Sequence, residues 1–241
     1  MSHLPAVTPS PSPLSASAGG TGGGCAASRQ LTACMAEIHR RGWCDGTGGN
    51  FSCVLSHEPL RLLMAPSGVD KGRVAPEELI EVDGRGTVVC GQGRASAETL
   101  LHLAIVEITQ AGAVLHTHSQ SGTLLSAHHA PQADVSAAEP GTAGRVIFHD
   151  LEMLKGLEGV TTHATQVEVP VLANDQDLEA LSKRARPHLA AAPHGLLIAG
   201  HGLYAWGRDL ATAMRHLEIL EFLLEQQWRR MLLKALTGAK R

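Results

Sequence analysis

Ala113-Val114-Leu115-His116-Thr117-His118 is the stretch from which the rest of the chain is read. An apolar run closing in His-x-His predicts a β-strand, since side chains alternate across a strand with period two. His116 and His118 then share one face, side by side. Immediately upstream, Ser96 to Gln110 is a mostly apolar helical segment with Leu100, Leu101, Ala104, Ile105 and Ile108 on a broad buried face. A helix running directly into a buried strand is the unit of an α/β fold.

The pattern continues outward on both sides. Leu31, Met35 and Ile38 recur at helical spacing, and Gly42 stands where a helix C-cap belongs. Trp43 to Gly49 reads as loop. Phe51 to Leu55 and Leu60 to Ala65 read as strands joined by Ser56-His57-Glu58-Pro59, and Pro76 to Ile80 as a short helix opened by proline. Downstream, 128–145 reads as a long, weakly patterned loop, Val167 to Leu172 as a strand and Asp177 to Leu189 as a helix. Leu196 to Ala199 and Leu203 to Trp206 read as strands flanking His201, followed by a long amphipathic helix from Asp209 to Leu233. Helices and strands alternate, which predicts an α/β fold in three layers. Residues 1–27 are rich in Pro, Ser, Ala and Gly and predict a disordered tail; 28–241 is the expected folded domain.

Composition narrows the function classes. The chain has 241 residues, 44% apolar and 18% charged, enough to bury a sizeable single core. A formal net charge of −3 gives no global pull toward nucleic acid or an anionic membrane surface. Aromatic content of 3% argues against base-stacking platforms. No apolar run reaches the roughly 18 residues of a membrane span, and no secretory signal opens the chain. A cytoplasmic location is the expectation. The five cysteines are odd in number and form no CxxC pair, which predicts reduced thiols.

His116, His118 and the glycine-flanked His201 are the candidate metal ligands. Three imidazoles with an open fourth position are a donor set that catalytic zinc uses. Gly46-Thr47-Gly48-Gly49-Asn50 and Ala65-Pro66-Ser67-Gly68 are short loops of small residues whose N–H groups can ring an anion, with Ser96 at a helix start as a third donor. Ordinary turn chemistry explains either loop alone. Glu98, opening the helix before the metal strand, and Glu152, in His149-Asp150-Leu151-Glu152-Met153-Leu154-Lys155-Gly156, are the candidate acid–base carboxylates. Composition does not choose between them.

These elements, in this order, resemble the class II aldolase/adducin family over about residues 28 to 233. The resemblance implies a three-layer α/β/α sandwich around a mainly antiparallel central sheet. It implies that His116, His118 and His201 hold one zinc ion per subunit. It places Gly49, Asn50, Ser67, Gly68 and Ser96 around a substrate phosphate, with Lys71 adding charge. Gly42-Trp43-Cys44-Asp45-Gly46, Met64 through Lys71, Glu152-Met153-Leu154-Lys155-Gly156 and Gly202 through Gly207 resemble the family's dehydratase branch, which acts on a methylthio sugar phosphate in methionine salvage. In that branch the Glu152 position is the acid/base, whereas in the sugar-phosphate aldolases it is the Glu98 position. A homotetramer, a small sugar-phosphate substrate and no nucleic-acid or membrane partner complete the expectation. An aldolase or epimerase, and less a non-catalytic scaffold, are the alternatives.

Overall fold

The computed structural model describes residues 21–131 and 143–238. Helix α1 (Thr21–Arg40) buries Leu31, Met35 and Ile38 on one side, as their spacing predicts. It closes at Gly42, whose φ of +71° lets its N–H donate back to the His39 carbonyl. Residues 21–27, expected in the tail, form the first turns of this helix, so the boundary at 27 is corrected to earlier in the chain. The rest of the expected tail, 1–20, lies outside the described residues.

Strands β1 (Asn50–His57) and β2 (Leu60–Met64) pair as an antiparallel hairpin. A 3₁₀ turn at Pro76–Glu78 leads into β3 (Ile80–Asp83) and then β4 (Val88–Cys90), two strands that the sequence pattern does not announce. Helix α2 (Thr99–Thr109) runs into β5 (Ala113–Thr117), the strand of the opening stretch. The segment 128–145, expected to be all loop, is bounded by regular structure instead. Helix α3 (Gln120–His128) precedes it and β6 (Gly144–His149) closes it; 132–142 lie outside the described residues. A 3₁₀ turn at Glu152–Gly156 leads to β7 (Gln166–Leu172). Helix α4 (Leu178–Leu189) follows, with the Asp177 carboxylate accepting from the Glu179 and Ala180 N–H groups. Strands β8 (Gly195–Ile198) and β9 (Gly202–Gly207) and the long helix α5 (Leu210–Thr237) complete the chain.

The nine strands form one sheet in the order β4-β3-β2-β1-β5-β9-β8-β7-β6. Every neighbouring pair is antiparallel except β7 with β8. One face carries Leu62, Val82, Val114, Tyr204 and Trp206 and packs against α2 and α4. The other carries Phe51, Leu63, Leu115 and Leu203 and packs against α1, α3 and α5. This is the expected three-layer sandwich. Each large apolar side chain taken fully out of water contributes about 1.5–3 kcal/mol before chain entropy is charged against it, and the central strands, buried at every residue, share that gain between both faces. Among the described residues no helix is long and apolar enough to cross a membrane. The five cysteines are free thiols, and burial pushes those of Cys34 and Cys53 up to about 12.

Candidate metal centre

The centre forms where β5 ends between its neighbours β1 and β9. Register places Asn50, His116 and Tyr204 in one row across these strands. Cross-strand partners share a face, so all three look toward the α2 side. The His116 ring is fully buried and stacks on Tyr204, with centroids 3.9 Å apart and planes 10° from parallel. Its Nδ1 donates to the Leu203 carbonyl at 3.0 Å. A neutral imidazole donating at Nδ1 presents a lone pair at Nε2, the arrangement that a carbonyl accepting from the other ring nitrogen imposes on metal-binding histidines.

His118 lies just past β5. Its backbone N–H donates to the Trp43 carbonyl at 2.7 Å, which ties the glycine loop to the site. Two glycines permit that approach. A Cβ on Gly48 would sit 3.0 Å from His118 Nδ1; one on Gly49, where φ is +76°, would sit 2.8 Å from the His116 carbonyl oxygen. His201 occupies the turn between β8 and β9, its N–H donating to the Ile198 carbonyl.

Glu98, just ahead of α2, completes the group. Glu98, His116, His118 and His201 each offer one donor atom, all within 4.8 Å of one another. The Nε2 atoms of His116 and His118 stand 2.8 Å apart. Glu98 Oε1 is 2.9 Å from His201 Nε2 and 3.6 Å from His116 Nε2. Tetrahedral ligands held about 2.0–2.1 Å from one ion stand roughly 3.3 Å from each other, so this donor set has the dimensions of a divalent-metal site. The Asn50 side-chain amide donates to Glu98 Oε2 and fixes the carboxylate's second oxygen. Burial pushes the Glu98 carboxyl up, but hydrogen bonds and charge from His116 and His201 outweigh it and hold the group well below the usual carboxylate range. Burial, reinforced by His116 and His201, pulls His118 down to about 4, which keeps it neutral and able to ligate.

The glycine-rich loops converge beside this centre. The Ser67 N–H donates to the Arg94 carbonyl at 2.8 Å, and Gly68 adopts φ of +81°. Ser96 Oγ accepts from the Glu98 N–H at 3.3 Å, so the third loop leads straight into Glu98. Gly49, Ser67, Gly68 and Ser96 thus lie on loops, and Asn50 opens β1. Lys71 is placed differently from a free cationic hand. Its ammonium is buried and donates to the carbonyls of Thr47 and Val69, bracing two loops against each other. Burial lowers its pKa.

Glu152 stands outside the group of four donors. Its side chain is 68% exposed, pairs with Lys155 and lies 3.7 Å from His163. Within one chain the structure brings Glu98, not Glu152, to the histidines.

Some site residues were missed by sequence reasoning. Tyr204 is the stacking partner of His116, while Asn50, expected beside the phosphate, clamps Glu98. Beneath them, fully buried His102 has its Nδ1 2.8 Å from Ser52 Oγ, and burial pulls it down to about 3. On the opposite face, Thr117 donates to buried Glu221 at 2.5 Å. Burial pushes Glu221 up to about 7 against the pull of Ser119 and Thr117. The only local signal for Tyr204 or Glu221 is a polar group at a position whose period is buried.

Comparison with known proteins agrees with this fold. The family described as the class II aldolase and adducin N-terminal domain matches residues 29–228. A methylthioribulose-1-phosphate dehydratase from Methylococcus capsulatus is 42% identical over 195 residues, 80% of this chain and 88% of that one. One from Serratia proteamaculans is 39% identical over 213 residues, 86% of this chain and 98% of that one. Among solved structures, an L-fuculose-1-phosphate aldolase from Thermus thermophilus superposes with a TM-score of 0.63 at 25% identity, covering 90% of this chain and 100% of that one. YgbL from Escherichia coli superposes with a TM-score of 0.67 at 25% identity, covering 84% of this chain and 88% of that one.

Proposed function

This chain belongs to the class II aldolase and adducin family, and from that premise we propose that it is a hydro-lyase. The proposed reaction dehydrates 5-methylthioribulose 1-phosphate to 2,3-diketo-5-methylthiopentyl 1-phosphate in methionine salvage. Identity to named dehydratases, spread over 80% or more of the chain, carries the choice of reaction. The four-donor cluster alone suits an aldolase equally well.

Zinc held by His116, His118 and His201 would supply Lewis-acid stabilisation of the substrate oxygens that gather negative charge. The chain's own groups do the rest. The loops bearing Gly49, Asn50, Ser67, Gly68 and Ser96 grip the phosphate through N–H and hydroxyl donors and hold C3 in place. Glu152 takes the C3 proton and returns a proton to the departing C4 hydroxyl, which leaves as water. The enol that remains tautomerises to the diketone. Glu98, anchored by Asn50, orients the substrate at the metal.

Glu152 is exposed and apart from the histidines of its own chain. Its role therefore requires an assembly in which Glu152 of one copy reaches the centre of another, in keeping with a homotetramer in the cytoplasm. Aldol cleavage is the second reading, favoured by one observation: Glu98 already touches the donor cluster. The test is incubation of purified protein with the methylthio sugar phosphate. Diketone formation supports dehydration; a cleaved three-carbon fragment without diketone sinks it. A purified protein without divalent metal would leave the non-catalytic scaffold as the better reading.

A further inference from the structure

Thr117 stands between two of the proposed metal ligands, and strand alternation turns its side chain to the opposite face of the sheet. There its hydroxyl donates to Glu221 Oε1 at 2.5 Å. Glu221 lies on α5 and is 2% exposed. Ser119, on the other side of His118, accepts the Gly122 N–H that caps α3. One buried acid thus grips the residue between His116 and His118. Its second oxygen has no hydrogen-bond partner among the described residues. The Glu221 residue borders a cleft of about 650 Å³ lined by Trp43, Ser121, Ile219 and Phe222 among others.

An acid in this position is costly. Leucine would fill the same layer without taking a carboxyl out of water, and a buried, half-satisfied acid is destabilising unless something else is gained. The gain visible here is directional. The strand end carrying His116 and His118 is clamped from behind to the longest helix of the molecule, as outer-shell partners fix metal-ligand orientation.

We propose that Glu221 is a positioning residue which, through Thr117, sets the aim of His116 and His118 at the bound metal. The inference rests on the metal reading of the histidines. The test is zinc titration of the chelator-stripped full-length chain, by competition with a chromogenic chelator. Glu221→Leu and Thr117→Val are each expected to weaken zinc binding about tenfold, and Glu221→Gln, which keeps an acceptor, to stay within about twofold of wild type. The double variant is expected to bind no more weakly than either single one, because both remove the same contact. Wild-type affinity in Glu221→Leu and Thr117→Val, or fully additive losses in the double variant, would overturn the proposal. If Glu221→Leu fails to fold, the affinity of Thr117→Val decides the question alone. A wild-type chain that binds no zinc would instead remove the metal reading itself and this inference with it.

Discussion

His116 is held by its backbone in β5, by the Leu203 carbonyl at Nδ1 and by the face of Tyr204. Nothing in that arrangement depends on a metal, so the site is pre-shaped. A His116→Ala variant is expected to lose at least about tenfold in retained metal, measured by metal analysis after purification. Its melting temperature should fall by no more than about 8 °C, because the surrounding strands keep their partners. The carboxylates divide differently. Glu152→Gln is expected to keep its metal and lose about 10²- to 10⁴-fold in kcat. Near-normal turnover in that variant, with Glu98→Gln inactive, would move the acid–base role to Glu98. The histidines were legible in the sequence because a period of two is a local property. The Asn50 clamp and the Tyr204 stack were not, because both follow from the register of β1 and β9 against β5, which no short window contains.

At the scale of elements, the centre depends on how closely β9 approaches the end of β5. A Cβ on Gly202 would lie 2.0 Å from the Thr117 carbonyl oxygen and 3.2 Å from His116 Cε1. Gly202→Ala is expected to destabilise by about 3 kcal/mol and to weaken metal binding together with stability, measured by urea unfolding and zinc titration. Helix α5 is secured against β9 in turn by His216. Its Nδ1 donates to the Trp206 carbonyl at 2.7 Å, and its Nε2 accepts from the Glu158 N–H at 3.2 Å, which requires the neutral ring. Burial, with His194 and Arg215 nearby, pulls its pKa down to about 4 from 6.5, against the opposing pull of the Trp206 carbonyl and Glu158. The unfolded chain therefore binds a proton here first. The stabilisation is fully present above about 6.5 and is lost as pH falls toward 4. Unfolding midpoints measured between pH 7 and pH 4 should fall less steeply in His216→Gln than in wild type. Long periodic helices and apolar strands such as α2, β5 and α5 were read correctly because each carries its own pattern. β3, β4, α3 and β6 were not. β4 has three residues, two of them exposed, and β6 is an edge strand whose alternating burial is masked in the sequence by the apolar Ile147 on its exposed face. Helix α3 is nine residues of mixed polarity held by its Ser119 cap and by Leu125 against the core.

At the scale of the molecule, one chain does not bring together every group that the proposed reaction uses. Glu98 and three histidines converge, whereas Glu152 sits on the surface with Lys155 and His163. Helix α5 also leaves Phe222, Leu232, Leu233 and Leu236 exposed, apolar area of the kind that assembly covers. The expected outcome is a closed homotetramer by light scattering, with active sites shared between copies. Subunit mixing separates sharing from mere association. His116→Ala lacks a ligand but keeps Glu152; Glu152→Gln keeps the ligands but lacks the proton carrier. Each alone is expected to be inactive. Co-expressed in equal amounts, they assemble at random, and roughly a quarter of the sites then draw intact histidines from one copy and an intact Glu152 from its neighbour. Recovery of about that fraction of wild-type turnover supports the shared site. Tetramers of mixed composition with no recovered activity would place Glu152 and the histidines of the same chain in one site, and would require the 152–163 segment to move toward its own β5.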